Sequence, residues 1–286
     1  MYHIIKNISI IISRVLLTPG YFDTIPTMKV GVYGLGRFGR FWAEILSHDF
    51  EVYGYNRSDV MTPPAEVALV TEEDLFTCDA VFLCVAISSL EEVLKRTRSF
   101  MHPGLTILDT CSVKVYPAEK MKEIVPGHVT IIGTHPMFGP DSGKNGIEGL
   151  PLVLSPIRGG ADTFDIWRRY FNNKHLDVIE ISPAEHDREA AYTQGVTHFI
   201  GRVLKDLDLK ESRIGTRGYR ALLNIVEQTC NDPLQLFMDL QHYNVYTHEM
   251  RNSLSCSISK TMKMLEDADP VRGGVPSKLD SIFHGR

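Results

Sequence analysis

The sequence predicts an α/β protein: a mainly parallel sheet layered with helices, followed by an all-helical C-terminal domain. Three observations carry this. Residues 29–58 read strand, glycine-rich turn, helix, strand. Apolar runs suited to strands buried on both faces then recur as far as residue 181. After Ser182 no strand pattern returns, and apolar residues fall three and four apart. Strands alternating with helices imply parallel pairing, because each crossover must return the chain to the same end of the sheet.

The first strand is Lys29-Val30-Gly31-Val32-Tyr33, and it runs into Gly34-Leu35-Gly36-Arg37-Phe38-Gly39. Phe38, Phe41, Trp42, Ile45 and Leu46 mark one face of the helix that follows, and Glu51–Tyr55 is the second strand. In a G-x-G-x-x-G so placed, the first glycine allows the tight turn. The second lets backbone N–H groups approach a pyrophosphate, and the third lets the helix pack close to the strand. The phosphates would sit at the positive end of the helix dipole. This is a Rossmann-like, dinucleotide-binding arrangement; the bland alternative is a glycine turn that serves only packing. Its expected cofactor contacts are Gly34, Leu35, Gly36, Arg37, Phe38 and Gly39, then Asn56, Arg57 and Ser58 beyond the second strand. Val85 and Ala86, closing the apolar run 80–86, complete the set.

Further strands are expected at 105–109, 129–133, 152–154 and 176–181, with a helix over 90–100. Ser182-Pro183-Ala184-Glu185 has the form of a capping box with proline at the first helical position. Phe199, Ile200, Val203, Leu204 and Leu207 keep helical spacing. Asp232-Pro233 predicts a helix restart by the same cap-plus-proline logic, and Phe237, Leu240, Met250, Leu254, Ile258, Met262 and Leu265 mark one or two long helices. Residues 28–182 are thus read as the dinucleotide-binding domain and 183–268 as a helical domain for substrate and dimerisation. The tail 269–286, with two prolines and two glycines among its first eight residues, is expected to be loose. Residues 4–17 are greasy but broken by Lys6 and Arg14, with no clean cleavage site after them. Met28 is expected to be the natural start, or 1–27 an extension. Long helices with unmatched apolar faces commonly pair with a copy of themselves, so a homodimer is expected.

Composition narrows the function classes. The 286 residues are 43% hydrophobic and 23% charged, ordinary for a soluble globular chain. A net charge of -5 argues against a nucleic-acid partner. No stretch approaches the roughly 18 apolar residues of a membrane span. Five scattered cysteines, odd in number and without a C-x-x-C, suit reduced thiols in the cytoplasm rather than a disulfide frame or zinc site.

The cofactor choice turns on the end of the second strand. An acidic residue there would hold the ribose 2′-hydroxyl of NAD, whereas an arginine accommodates a 2′-phosphate. The strand runs out into Tyr55-Asn56-Arg57-Ser58, with no carboxylate before Asp59. Arg57 offers a charge-assisted fork and Ser58 a hydroxyl. NADP is expected, with NAD as the alternative should Asp59 reach back to the ribose.

Two stretches at strand ends carry polar residues that packing does not require: 109–114, Asp-Thr-Cys-Ser-Val-Lys, and 133–143, Gly-Thr-His-Pro-Met-Phe-Gly-Pro-Asp-Ser-Gly. Ligands of open α/β sheets bind beyond the carboxyl ends of the strands, where both would lie. Together with the glycine turn and Thr193-Gln194-Gly195-Val196-Thr197-His198-Phe199, they resemble the prephenate/arogenate dehydrogenase family of tyrosine biosynthesis over about residues 28–268. The His-Pro-Met-Phe-Gly-Pro form and the Gln-Thr-Cys-Asn-Asp-Pro stretch at 228–233 are most similar to its arogenate branch.

The resemblance implies an oxidative decarboxylation of a small cyclohexadienol acid. A hydride leaves C4 for the nicotinamide, and CO2 departs as the ring becomes aromatic. It implies that His135 takes the C4 hydroxyl proton, for which an imidazole titrating near working pH is suited. Ser112 would orient the imidazole or the hydroxyl. Lys114, Asp141, Gln194 and His198 would contact substrate. One departure matters. Prephenate-specific members carry an arginine shortly before an Asp-Pro in the helical domain, and the segment 224–231 here has none. Arg213, Arg217 and Arg220 lie upstream.

Blander readings stand beside these: His198 as an interface histidine, Gln194 as a packing contact, Lys114 as a solvated charge, Cys111 as a small filler. Two other functions compete. A β-hydroxyacid dehydrogenase would want a catalytic lysine on the first helix of the second domain, where Lys205 comes late. A dinucleotide-sensing module would bind cofactor without turnover.

Overall fold

The computed structural model describes residues 28–58 and 63–267. The predicted extension 1–27, Asp59 and the predicted tail 269–286 lie outside the described residues. In chain order the first elements are β1 Lys29–Tyr33, α1 Arg37–Ser47, β2 Glu51–Tyr55, β3 Val67–Leu69, α2 Glu72–Leu75, β4 Ala80–Leu83 and α3 Ile87–Thr97. A 3-10 turn, Arg98–Phe100, leads to β5 Thr106–Asp109, α4 Val115–Ile124, β6 Thr130–Pro136, β7 Pro151–Arg158, α5 Ala161–Asn173 and β8 Asp177–Glu180. Then come α6 Pro183–Ala190, a π-helical turn Ala191–Gly195, α7 Val196–Asp206, α8 Arg217–Cys230, α9 Leu234–Tyr243 and α10 Thr247–Asp267.

The strands form one eight-stranded sheet in the order β3-β2-β1-β4-β5-β6-β7-β8. Every neighbouring pair is parallel except β6 and β7, so the sheet is mainly parallel, as predicted. The chain winds outward from β1 in both directions. The switch point therefore lies between β1 and β4, where doubly wound sheets bind dinucleotides.

One face of the sheet is closed by aromatic packing against α1 and α5. Trp42 is fully buried, with Phe82 at 5.7 Å edge-on and Phe171 at 6.0 Å. Phe82 meets Trp167 of α5 at 5.1 Å, also edge-on, the arrangement that ring quadrupoles favour. This fixes α1, and with it the glycine turn at its start.

Several predicted strands differ in extent, and the apolar run 80–86 is a strand only over Ala80–Leu83. The sixth continues past Gly133 through Pro136, because β7 folds back and pairs with it, setting His135 opposite Val153. β7 itself runs over eight residues rather than three. The eighth is shorter than expected, since Leu176 and Ile181 lie outside its ladder. The capping box is present: Glu185 N–H donates to Ser182 Oγ at 3.3 Å, and Ser182 N–H to the Glu185 carboxylate at 3.0 Å. At the later restart, Pro233 rather than Asp232 holds the cap position, and no side chain caps α9. Proline fixes the backbone turn there without needing the carboxylate.

The described chain divides into two compact units. One holds residues 28–85, 91–110 and 121–180. The other holds 86–90, 111–120 and the chain from Ile181 onward. The starts of α3 and α4 thus cluster with the helical unit, although the sequence reading placed them in the first domain.

Candidate functional site

The first unit carries the glycine turn. Gly34 adopts φ +97, and a Cβ there would lie 2.4 Å from Cys84 O. A Cβ on Gly39 would lie 1.8 Å from Gly34 O, so α1 and the turn touch through bare backbone. Gly36 differs: it is exposed, at the N-cap of α1, with nothing within 4 Å of an added Cβ. No side chain caps α1, and no acid stands in its first turn. Packing within the protein explains Gly34 and Gly39 but not Gly36. Open space above uncapped N–H groups is what a phosphate needs, so these residues fit a dinucleotide.

The other expected cofactor residues divide by role. Gly34 N–H donates to Tyr55 O at 2.8 Å, and Val85 lies against the turn. Asn56 accepts the Leu35 N–H at 2.9 Å through Oδ1 and donates to Ser58 O at 2.8 Å through Nδ2. Its amide therefore braces the loop. Leu35 buries its side chain in the core, and Phe38 stacks on Trp42 at 5.9 Å. Arg57 and Ser58 are exposed, and Arg57 pairs with no carboxylate among the described residues. Arg37 forms an ion pair with Asp141, which ties the loop after β6 to the glycine turn. Gly143, beside it, lies against the Phe41 ring. The Asp141 carboxylate, expected at substrate, thus faces an arginine of the turn.

His135 also belongs to this unit. It is 4% exposed, in register with Val153. Side chains alternate along a strand. Ile132, two positions from Thr134, belongs to the aromatic core. His135 therefore projects from the opposite face, away from Trp42 and Trp167.

The second unit holds Ala86, Ser112, Lys114, Gln194 and His198. Lys114 is fully buried, so the solvated-charge reading is overturned. The N–H groups of Lys114 and Val115, starting α4, donate to Asp187 Oδ1 at 2.6 Å and Oδ2 at 2.9 Å. Asp239 plays the same part for α3, accepting the Ser88 N–H at 3.1 Å and hydroxyl at 3.0 Å. Nothing in the sequence signals either cap, since the partners stand 73 and 151 residues apart.

Gln194 and His198 sit where the π-helical turn passes into α7. Single π turns inside helices are frequently found at functional sites. The buried side-chain atoms without a hydrogen-bond partner include Ser112 Oγ, Gln194 Oε1 and His198 Nδ1. An unmet buried polar atom costs about 1–3 kcal/mol. Three such atoms on residues singled out for substrate contact fit a polar ligand. Burial pushes the His198 imidazole below the usual histidine range, with Asp232 pulling the other way and Arg202 adding to the push. His198 is thus held neutral, a hydrogen-bonding group rather than a cation. Among the described residues no cluster suits a metal ion.

Comparison with known proteins bears on the same segments. The profile of the prephenate dehydrogenase nucleotide-binding domain matches residues 47–179, and that of the TYRAAT1-like C-terminal domain matches 203–272. Arogenate dehydrogenase 2, chloroplastic, of Arabidopsis thaliana is 34% identical over 253 residues, covering 83% of this chain and 70% of that protein. Arogenate dehydrogenase 1, chloroplastic, of the same plant is 34% identical over 232 residues, 76% of this chain but 36% of its own length. Among solved structures, prephenate dehydrogenase from A. aeolicus in complex with hydroxyphenyl propionate and NAD+ superposes with a TM-score of 0.67 at 17% identity, covering 86% of this chain and 93% of that one. Synechocystis arogenate dehydrogenase gives 0.63 at 20% identity, covering 84% and 92%. At these identities the structural likeness shows the fold.

Proposed function

The chain belongs to the prephenate/arogenate dehydrogenase family, and from that premise we propose that it catalyses the NADP-dependent oxidative decarboxylation of arogenate, with prephenate as the lesser substrate. The observation that carries the reading is the coincidence at Ser112, Gln194 and His198. The motif residues expected at substrate are ones whose buried polar atoms lack partners. The names of the 34% identical relatives support arogenate. So does the absence of arginine from the 224–231 stretch, while Arg213, Arg217 and Arg220 are exposed.

A bound nicotinamide would supply the hydride acceptor. The chain's own residues do the rest. His135 takes the ring hydroxyl proton as the C4 hydride leaves, and a rigid strand holds it ready. Ser112 orients that hydroxyl, and Lys114 attracts a substrate carboxylate. Gln194 and neutral His198 donate or accept hydrogen bonds without adding charge. Arg57 and Ser58 favour a 2′-phosphate. Lys205, exposed and late in α7, gives the β-hydroxyacid alternative no support. The five free cysteines suit a reducing compartment, and we place the protein in the cytoplasm. Apolar residues left exposed on α10 suit a homodimer.

The decisive assay offers the full chain each of arogenate and prephenate, with NADP and with NAD, and follows reduced nicotinamide by absorbance. Turnover is expected to be fastest with arogenate and NADP. His135→Asn should lower kcat by roughly 10²- to 10⁴-fold, with cofactor affinity within about twofold of the parent. No turnover in any of the four mixtures sinks the proposal and leaves the sensing module.

A further inference from the structure

Asp187 is fully buried, and no step of the proposed reaction uses it. A buried carboxylate costs several kcal/mol unless hydrogen bonds satisfy it. Here the satisfaction is specific. Its two oxygens take the N–H groups of Lys114 and Val115, at the positive end of α4. His186 Nδ1 lies 2.7 Å from Oδ1. Its backbone is held as well, since Asn244 Nδ2 donates to Asp187 O at 2.8 Å while Asn244 Oδ1 accepts the Tyr246 N–H at 2.9 Å.

The need for an outside cap is the informative point. Helices starting after a strand are usually capped by a Ser, Thr or Asp next to the first turn. The loop before α4 contains such residues, yet they do other things. Thr110 donates to Leu83 O at 3.2 Å. Ser112 is 6% exposed and its Oγ has no hydrogen-bond partner. Had Ser112 capped the helix, its lone pairs would point at backbone N–H groups. With Asp187 in that place, the hydroxyl is left free.

We propose that Asp187 is a positioning residue for Ser112: by capping α4 from outside the loop, its carboxylate holds the serine hydroxyl buried, unpartnered and available to the substrate. This rests on the reading of Ser112 as part of the reactive centre. Asp239 makes the contrasting case. It caps α3 through Ser88, next to the expected cofactor contacts Val85 and Ala86, and its loss should act on cofactor KM instead.

The test is a double-mutant cycle on the full chain. Asp187→Asn keeps the volume and one acceptor oxygen but puts an NH2 group against a backbone N–H. It should lower kcat ~10- to 100-fold, the scale of an ångström-sized misplacement, with cofactor KM nearly unchanged. Ser112→Ala should lower kcat similarly. The double variant should fall no further than Ser112→Ala alone, since coupled groups lose their effect together. Losses that multiply, or kcat of Asp187→Asn within about threefold of the parent, overturn the proposal. Should Asp187→Asn not fold, Asn244→Ala carries the same cycle with a smaller loss, and multiplied losses there overturn it equally. Hydrogen exchange gives a readout independent of activity. Amides of residues 111–116 should exchange at least tenfold faster in the variant, with those of α7 unchanged. If the parent turns over neither acid, the proposed function falls and the exchange result alone decides on Asp187: unchanged rates refute it.

Discussion

Replacing Gly36 with alanine separates a phosphate cradle from a turn that only packs. The new methyl group meets nothing within 4 Å, and the residue's φ of -67 and ψ of -167 suit alanine. Two small terms then oppose each other. Alanine reduces the freedom of the unfolded chain, worth about 0.4–1 kcal/mol. It is also a poorer N-cap residue than glycine, by a similar amount. Stability should therefore change by less than about 1 kcal/mol, a shift of a few degrees in Tm at most. Cofactor binding should respond quite differently, because the methyl occupies the space through which backbone N–H groups reach the pyrophosphate. A tenfold loss in Kd corresponds to about 1.4 kcal/mol, and at least that is expected. Gly39→Ala is the counterpart. Its methyl would lie 1.8 Å from a backbone oxygen, so it should destabilise the fold outright. Calorimetric titration with NADP, paired with thermal melts, reads both quantities. A Gly36→Ala protein that melts like the parent and binds cofactor as tightly would refute the cradle.

Other outcomes follow from single features. Arg57→Asp should raise the KM for NADP by roughly 10- to 100-fold while leaving that for NAD nearly unchanged, since a charge-assisted fork is lost; equal use of the two cofactors by the parent would refute the assignment. Burial holds His198 below the usual range, so its neutral form stabilises the fold above pH 6.5, where a histidine ordinarily titrates, and that stability is lost as pH falls through the folded-state value. Urea titrations of His198→Asn should therefore show a shallower acid loss than the parent; parallel pH curves would contradict this. Ile258, Met262 and Leu265 are 49%, 59% and 62% exposed and fall on one stripe of α10. Met262→Glu with Leu265→Glu should convert a dimer to a monomer by light scattering, and a monomeric parent would end that reading.

The glycine turn, β1, β2 and the Ser182 capping box were legible because their signals are local: spacing, a cap residue, a helix-starting proline. Harder to read were features whose cause is distant in sequence. β6 runs through His135 only because β7 returns beside it, whereas Gly133-Thr134 looks locally like a strand end. β3 is three residues long and owes its pairing to β2. Lys114 is expected at substrate, with a solvated helix-start charge as the blander reading, and nothing local in sequence shows that it is fully buried. Ser112, His135, Gln194 and His198 stand out as motif residues, but what leaves Ser112 Oγ and Gln194 Oε1 unpartnered and His198 neutral comes from packing. Asp187 and Asp239 gave no sign at all.

The aspartate beneath Lys114 and Val115 is synthesised seventy-three residues after Lys114. A ribosome therefore releases the serine loop well before the group that fixes it. A fragment ending at residue 182 would include every strand of the sheet and still lack that anchor. Truncations meant to isolate the nucleotide-binding half should then leave residues 111–115 disordered, however well the rest folds. Competence for turnover would have to wait at least until Asp187 clears the exit tunnel.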